Sequence, residues 1–190
     1  MVETAVATAR EHGPDAIVIR DIARQVGVSH NAAYRHFASR DDLLEAVAEV
    51  GLQELADRML SRLAEVPKRR DAEALARARL RAIGRAYVEF GVDQPGMFRT
   101  TWAALRTPPT GEGPEEELPL DPYRLLGMVL DELVAARGIP ASRRPFSDIV
   151  AWSAVHGLAT LVIDGPLAGL PPEAVDLSVE RLCDVIDAGL

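Results

Sequence analysis

The chain has 190 residues, 48% of them hydrophobic, and can therefore bury a sizeable core. No apolar run approaches the roughly 20 residues that span a bilayer, no signal peptide is indicated, and a single cysteine excludes an internal disulfide, as expected for a reducing cytoplasm. The net charge of -8 excludes a uniformly basic chain, but residues 1–40 hold five arginines against four acids, so a near-neutral N-terminal module precedes an acidic remainder.

The first 40 residues predict three helices. Residues 2–12 form the first, which ends at Gly13 and Pro14, because glycine is a common helix stop and proline cannot continue the helix. A short second helix covers residues 20–26 and ends at Gly27. Ser29 is a suitable N-cap for a third helix at residues 30–37, since its hydroxyl can accept from a free backbone N–H.

The remaining chain also predicts helices, and strand-like alternation is absent. Ser39 is expected to cap a long fourth helix with an apolar stripe, whose steps of four and three residues fit one helical face. Residues 106–122 hold five prolines and four glutamates, which favours a mobile loop. Further helices are predicted at residues 72–92, 97–105, 122–137, 147–163 and 173–188. The predicted fold is all-α, with about nine helices.

Two short helices joined by a tight turn with a glycine are what a helix-turn-helix requires. The second helix of such a pair enters the major groove and presents its first residues to the base edges. Here the pair is residues 20–26 and 30–37, and the turn is residues 27–29. This pattern predicts a DNA-binding domain at residues 1–46 and a helical bundle at residues 47–190.

The stretch IRDIARQVGVSHNAAYRHFASRDDLLEAV resembles the signature of the TetR family of transcriptional regulators. That signature is roughly IA, three residues, GVS, four residues, Y, one residue and HF; after one further residue come a serine or threonine, a basic residue, an acid, any residue and a leucine. The resemblance implies a dimeric regulator, most often a repressor, in which the third helix reads a palindromic DNA operator. The residues it places at DNA are Ser29, His30, Asn31, Ala33, Tyr34, His36 and Arg40.

The resemblance gives these residues different roles. Tyr34, His36 and Arg40 match positions that touch phosphate, while the others read bases or position the helix. The side chains suit these roles, because tyrosine and histidine can donate to phosphate and Asn31 could pair bidentately with adenine. His30 could instead point to solvent, and Phe37 is expected to pack in the core.

Two departures from the family pattern stand out. Val18 occupies a position where the family commonly has a threonine that caps the second helix and contacts phosphate, and valine can do neither. The chain also begins almost inside the first helix, without the basic arm of many members. Both departures keep open an alternative, namely a protein–protein adaptor that has lost DNA binding.

The segments YVEFGVDQPGMFRTTW and WSAVHGLATLVIDGPL resemble TetR-type regulators with a WHG domain, named for residues that appear here as Trp152, His156 and Gly157. This resemblance implies a ligand-binding domain in which residues 147–163 and 173–188 pair with their copies in a homodimer. A small apolar or aromatic ligand is the expected effector, and large side chains are its expected contacts. The candidates are Phe98, Trp102, Tyr123, Met128, Trp152 and His156, each of which could equally be ordinary core.

Other features favour structural roles. Arg77, Arg81 and Arg85 share one helix face, which we expect to be solvated or paired with acids, and Cys183 is expected in the core. No cofactor or metal site is predicted, because His156 has no second ligand at a suitable spacing. An enzyme is disfavoured, since no nucleophile and base, paired acids or phosphate loop is recognisable.

Overall fold

The computed structural model describes residues 1–104 and 121–189, and within these ranges the chain forms nine α-helices and no strand. The all-α prediction is confirmed. Two single turns of 3-10 helix, Pro14–Ala16 and Ala141–Arg143, supplement the α-helices. The α-helices are α1 Val2–His12, α2 Ile19–Gln25, α3 His30–His36, α4 Arg40–Glu65, α5 Ala72–Asp93, α6 Pro95–Ala104, α7 Pro122–Ala135, α8 Ser147–Ile163 and α9 Pro172–Gly189.

The observed helix ends differ from the predicted ones by at most two residues at either end. The start of α6 moves from residue 97 to Pro95, because proline is well tolerated in the first turn, where its missing N–H would have no helical partner. The predicted mobile loop lies, apart from its last residues, outside the described residues. None of the described helices is long and apolar enough to cross a membrane.

The described residues divide into two compact units. Residues 1–54 and 93–104 form the first unit, and residues 55–92 and 121–189 form the second. The helices α4 and α5 each contribute to both units. The domain boundary after residue 46 remains a prediction.

In the first unit, α2 and α3 pack together and α1 packs against α6. Ile22 and Ala23 of α2 and Leu43 of α4 are buried side chains of its core. The helix α6 approaches α1 at Gly96, where a Cβ atom would lie 2.2 Å from the carbonyl oxygen of Ala9. A glycine is therefore required at this close approach of two backbones.

The second unit has an aliphatic core contributed by α5, α7, α8 and α9. Leu80 and Ile83 of α5, Leu130 and Leu133 of α7 and Val155 of α8 are all buried. The α8 and α9 helices pack directly against each other. On α9, Val179, Cys183 and Ile186 form the buried face, so the core assignment of Cys183 is confirmed.

Candidate functional site

The turn between α2 and α3 has the geometry of a helix-turn-helix. Gly27 adopts a positive φ of 70°, in the left-handed region that glycine occupies readily. The Val28 N–H donates to the Ala23 carbonyl, with 2.9 Å between nitrogen and oxygen, and this bond closes the end of α2. The Ser29 hydroxyl oxygen accepts from the Ala32 N–H at 3.3 Å, so Ser29 is the N-cap of α3 as predicted.

The exposed face of α3 carries most of the predicted DNA contacts. His30, Asn31 and His36 are exposed, and Tyr34 is 44% exposed. The rings of His30 and Tyr34 lie against each other with centroids 4.6 Å apart, which places both on one face of the helix. These side chains are accessible to a partner, and their individual contacts with DNA remain predictions.

Ala33 does not lie on the exposed face of α3. Its side chain is completely buried, because it faces the small core between α2 and α3. A buried methyl group cannot read a base edge, so of the two roles expected for this position the burial of Ala33 favours positioning the helix. Ala33 instead sets how closely α3 can pack, while Phe37 is half-buried at the end of the helix.

A reciprocal cap fixes the start of α4. The Ser39 hydroxyl accepts from the Asp42 N–H at 3.1 Å, and the Asp42 carboxylate accepts from the Ser39 N–H at 3.2 Å. The hydrogen bond from the Ser39 side chain lowers the pKa of Asp42 below its usual value. This arrangement is a capping box with an aspartate in its fourth position, and it determines where Arg40 begins the helix.

Arg40 is bound to the loop that precedes α2. Its Nε donates to the Ile17 carbonyl at 2.8 Å, and its Nη2 donates to the Pro14 carbonyl at 2.5 Å. These bonds use two of the five guanidinium N–H donors. The side chain thus holds the loop in place, and a phosphate contact through its remaining donors stays a prediction.

Val18 is the N-cap residue of α2. It has an extended backbone conformation, makes no side-chain capping bond and is 40% exposed. An apolar side chain therefore lies where the family commonly has a hydroxyl. The exposed arginines of the same helix are Arg20 and Arg24, both close to the carboxylate of Asp21.

The second unit contains an apolar cavity of about 30 Å³. Its walls come from α4, α5, α7, α8 and α9, represented by Met59, Ile83, Leu126, Val155 and Ile186. Cys183 also lines it, and burial raises the pKa of this thiol.

Of the six predicted pocket residues, only Trp152 lines this cavity. Phe98 and Trp102 belong to α6 in the first unit, where their rings pack edge to face with centroids 6.0 Å apart. Met128 is 49% exposed, because the buried face of α7 is formed by other residues, among them Leu125 and Val129. None of these three residues lines the cavity of the second unit.

Tyr123 and His156 adjoin the cavity through its lining residues. The Tyr123 ring lies against Trp152 with centroids 5.7 Å apart, and Nδ1 of His156 lies 2.7 Å from the Tyr87 hydroxyl. Tyr87 itself lines the cavity. Burial lowers the pKa of His156, so its neutral form is favoured and Nδ1 can accept a hydrogen bond from the Tyr87 hydroxyl.

The sequence-based selection of pocket residues missed the charged side chains of α5 and α9. Arg81 and Asp187 line the cavity, Nη1 of Arg81 binds Asp184 at 2.7 Å, and Nη2 binds Asp187. Arg85 continues the row by pairing with Asp176 and Glu180. The expectation of an acid-paired arginine face is confirmed. The sequence contained a signal for the acidic partners, because acids follow one another at intervals of four, four and three residues along residues 176–187.

Two family profiles match the chain. Residues 1–47 match the profile described as bacterial regulatory proteins of the tetR family. Residues 80–186, more than half of the chain, match the profile of the tetracyclin repressor-like C-terminal domain. The first match contains the whole helix-turn-helix formed by α2 and α3, and the second contains most of the residues that line the cavity.

Individual relatives agree with the profiles. An uncharacterized HTH-type transcriptional regulator of Mycobacterium tuberculosis is 25% identical over 175 residues, which are 92% of this chain and 74% of that protein. A protein of unknown function from Rhodococcus sp. RHA1 superposes with a TM-score of 0.75 at 29% identity, covering 100% of this chain and 92% of that one. A TetR variant from Acinetobacter baumannii in complex with minocycline gives a TM-score of 0.66 at 19% identity, covering 99% and 92%. The chain therefore belongs to the TetR family of DNA-binding transcriptional regulators.

Proposed function

We propose that this regulator is a homodimer that represses transcription from a palindromic operator and releases the DNA when a small, mainly apolar ligand enters the cavity of the second unit. The observation that carries the proposal is the exposed face of α3. His30, Asn31 and Tyr34 lie there on a helix capped at Ser29, with its first residues accessible for base edges in a major groove.

The proposed homodimer is supported by α8. This helix is apolar on all sides, yet within the chain only Ser147, Ala151, Val155 and Ala159 are buried. A helix that is apolar all round is normally covered on every side. The exposed side includes Val150 and Leu161, with Gly157 between them.

Gly157 adds a second argument for a copy of the same helix as the partner. A Cβ atom there would meet nothing within 4 Å, so no part of the described chain requires a glycine at this position. A small residue in the middle of an exposed apolar stripe permits the close approach of another helix. On α9, Leu177 and Val185 are exposed as well, which extends the proposed contact to both helices.

The proposed response to a ligand is supported by the cavity and by α4. This helix begins at Arg40, which binds the loop before α2, and continues to Met59, which lines the cavity. A rearrangement of the cavity wall can therefore act on the element that positions α2 and α3. The coupling required is modest, since allosteric coupling energies are typically about 1–3 kcal/mol. Because it acts on DNA, we expect the regulator in the bacterial cytoplasm, which holds the chromosome.

Selection of bound duplexes from a random DNA library tests this proposal. We expect an enriched palindrome bound by two protomers, with half-sites separated by about one helical turn of DNA or a multiple of it. The affinity should fall steeply as salt is raised, because phosphate contacts release counterions. Absence of enrichment at low salt would contradict operator binding. It would favour the adaptor alternative, which the exposed apolar side chain of Val18 supports.

A further inference from the structure

The wall of the cavity in the second unit is mainly apolar and contains one charged pair. Among the described residues that line it, Arg81 and Asp187 are the charged ones, and the others include Leu80, Ile83 and Trp152. Nη2 of Arg81 pairs with Oδ2 of Asp187. The charges of the two side chains therefore compensate each other at the cavity wall.

One oxygen of this pair has no hydrogen-bond donor. Only 9% of the Asp187 side chain is exposed, and its buried Oδ1 accepts no hydrogen bond within the described part of the chain. The nearby Nη1 of Arg77 is 3.6 Å from this oxygen and donates instead to the backbone carbonyl of Asp187 at 3.0 Å. Buried carboxylate oxygens are normally hydrogen-bonded, and Asp187 lines the cavity, so Oδ1 is an unsatisfied acceptor for a donor that enters there.

We propose that the cavity binds an uncharged, mainly apolar molecule that donates one O–H or N–H hydrogen bond to Oδ1 of Asp187. This inference rests on the proposed ligand response and specifies the chemistry of the ligand. The molecule is uncharged because the compensated pair offers no net counter-charge, and an unpaired buried charge is costly. It is mainly apolar because aliphatic and aromatic side chains form most of the wall.

The size of the cavity makes ligand entry a structural event. A volume of about 30 Å³ holds a water molecule but no aromatic ring. At Gly84 of α5, a Cβ atom would lie 3.6 Å from both Sγ of Cys183 and Cγ1 of Val155. A ligand must therefore widen the space between α5, α8 and α9, and α8 and α9 are the helices of the proposed dimer contact.

Two probes that share a methyl-substituted ring and its oxygen atom, and differ in whether that oxygen carries a proton, test the hydrogen bond. 4-Methylphenol has a hydroxyl donor, whereas 4-methylanisole carries a methyl group in place of that proton. Calorimetric titration of the full chain should give an affinity for 4-methylphenol about tenfold higher than for 4-methylanisole, since one buried hydrogen bond has about this effect. Equal affinities, or no binding of either probe at millimolar concentration, would overturn the proposal.

Matched variants assign the preference to Asp187. In Asp187→Asn the amide oxygen can take over the bond to Arg81, so an NH2 group replaces the acceptor Oδ1 and the preference for 4-methylphenol should disappear. Asp184→Asn also removes an acid partner of Arg81 but leaves the cavity wall intact, and it should keep the preference. Retention of the preference in Asp187→Asn would overturn the proposal.

A filled cavity gives a second, independent readout. Gly84→Ala adds a methyl group in ordinary contact distance, so the chain should fold and bind both probes at least about tenfold more weakly. Unchanged binding would locate the probes elsewhere and overturn the proposal. Operator selection needs no ligand, so a failure of these titrations with intact operator binding would refute the ligand chemistry alone.

Discussion

The Tyr87 hydroxyl and Nδ1 of His156 are 2.7 Å apart and join α5 to α8 beside the cavity. With the imidazole neutral, the hydroxyl donates and the ring proton is on Nε2. Burial lowers the pKa of His156 below its ordinary value of 6.5. From about pH 6.5 down to this lower pKa, the folded chain therefore binds fewer protons at this site than the unfolded chain does.

We expect the free energy of unfolding to fall as the pH is lowered through 6.5 towards the lower folded-state pKa, and to be restored above 6.5. His156→Gln should remove this component, so its pH profile should be flatter than that of the unmodified chain. Urea denaturation at a series of pH values measures the difference. Parallel profiles for the two proteins would show that His156 is not the group responsible.

Arg40 should contribute both to the free energy of unfolding, through its bonds to the loop before α2, and to the affinity for DNA. Arg40→Lys keeps the charge but replaces two separate donor nitrogens by one, so at least one carbonyl bond should weaken and the free energy of unfolding should fall by about 1 kcal/mol. Arg40→Ala should also weaken all DNA sites alike and flatten the slope of log affinity against log salt by about one unit. Filter binding over a salt series measures this. Arg69→Ala, in the turn after α4, is the control, and an unchanged slope for Arg40→Ala would exclude the phosphate contact.

Asn31 is predicted to read a base. Asn31→Ala should change the sequence preference at one position by about 1–3 kcal/mol if the amide pairs bidentately with adenine. Tyr34→Phe is the matched comparison, because loss of a phosphate donor should weaken binding without changing the preference. Competition with operators altered at single positions separates the two effects. The same preference in both variants would exclude Asn31 from base recognition.

Gly96 should be intolerant of any side chain. Gly96→Ala would place Cβ 2.2 Å and 2.5 Å from the carbonyl oxygens of Ala9 and Arg10, and these backbone atoms cannot rotate away. We expect a loss of about 1–3 kcal/mol or more in unfolding free energy. Gly127→Ala is the control, since its Cβ would meet only the Arg144 side chain at 3.6 Å and alanine favours a helix. Similar stabilities of the two variants would contradict this packing.

The proposed dimer contact predicts a specific sensitivity on α8. Leu161→Asp should produce monomers at micromolar concentration, because a buried, unpaired carboxylate is costly in an apolar interface. Met128→Asp changes an equally exposed apolar residue of α7 and should leave the dimer intact. Sedimentation equilibrium gives the molar mass of both variants. If Leu161→Asp remained dimeric, the dimer contact would not include this stretch of α8.

The sequence by itself determined the helices, because their signals are local. Gly27 and Ser29 fix the turn and cap by backbone conformation and a bond three residues away, and both predictions were confirmed. The helix stop at Gly13 and Pro14 and the apolar periodicity of α4 are local signals of the same kind. The family signature lies in this local region, so DNA binding by the N-terminal module could be predicted as well.

The tertiary structure alone decided which side chains face a shared space. Ala33 was predicted at the DNA face and is buried, and Met128 was predicted in a pocket and is exposed. Their orientation depends on which helix packs against which face, which residue type does not reveal. The same holds for Arg81 and Asp187, which lie more than 100 residues apart and meet only because α5 packs beside α9. Long-range packing thus determined the cavity and its unsatisfied oxygen.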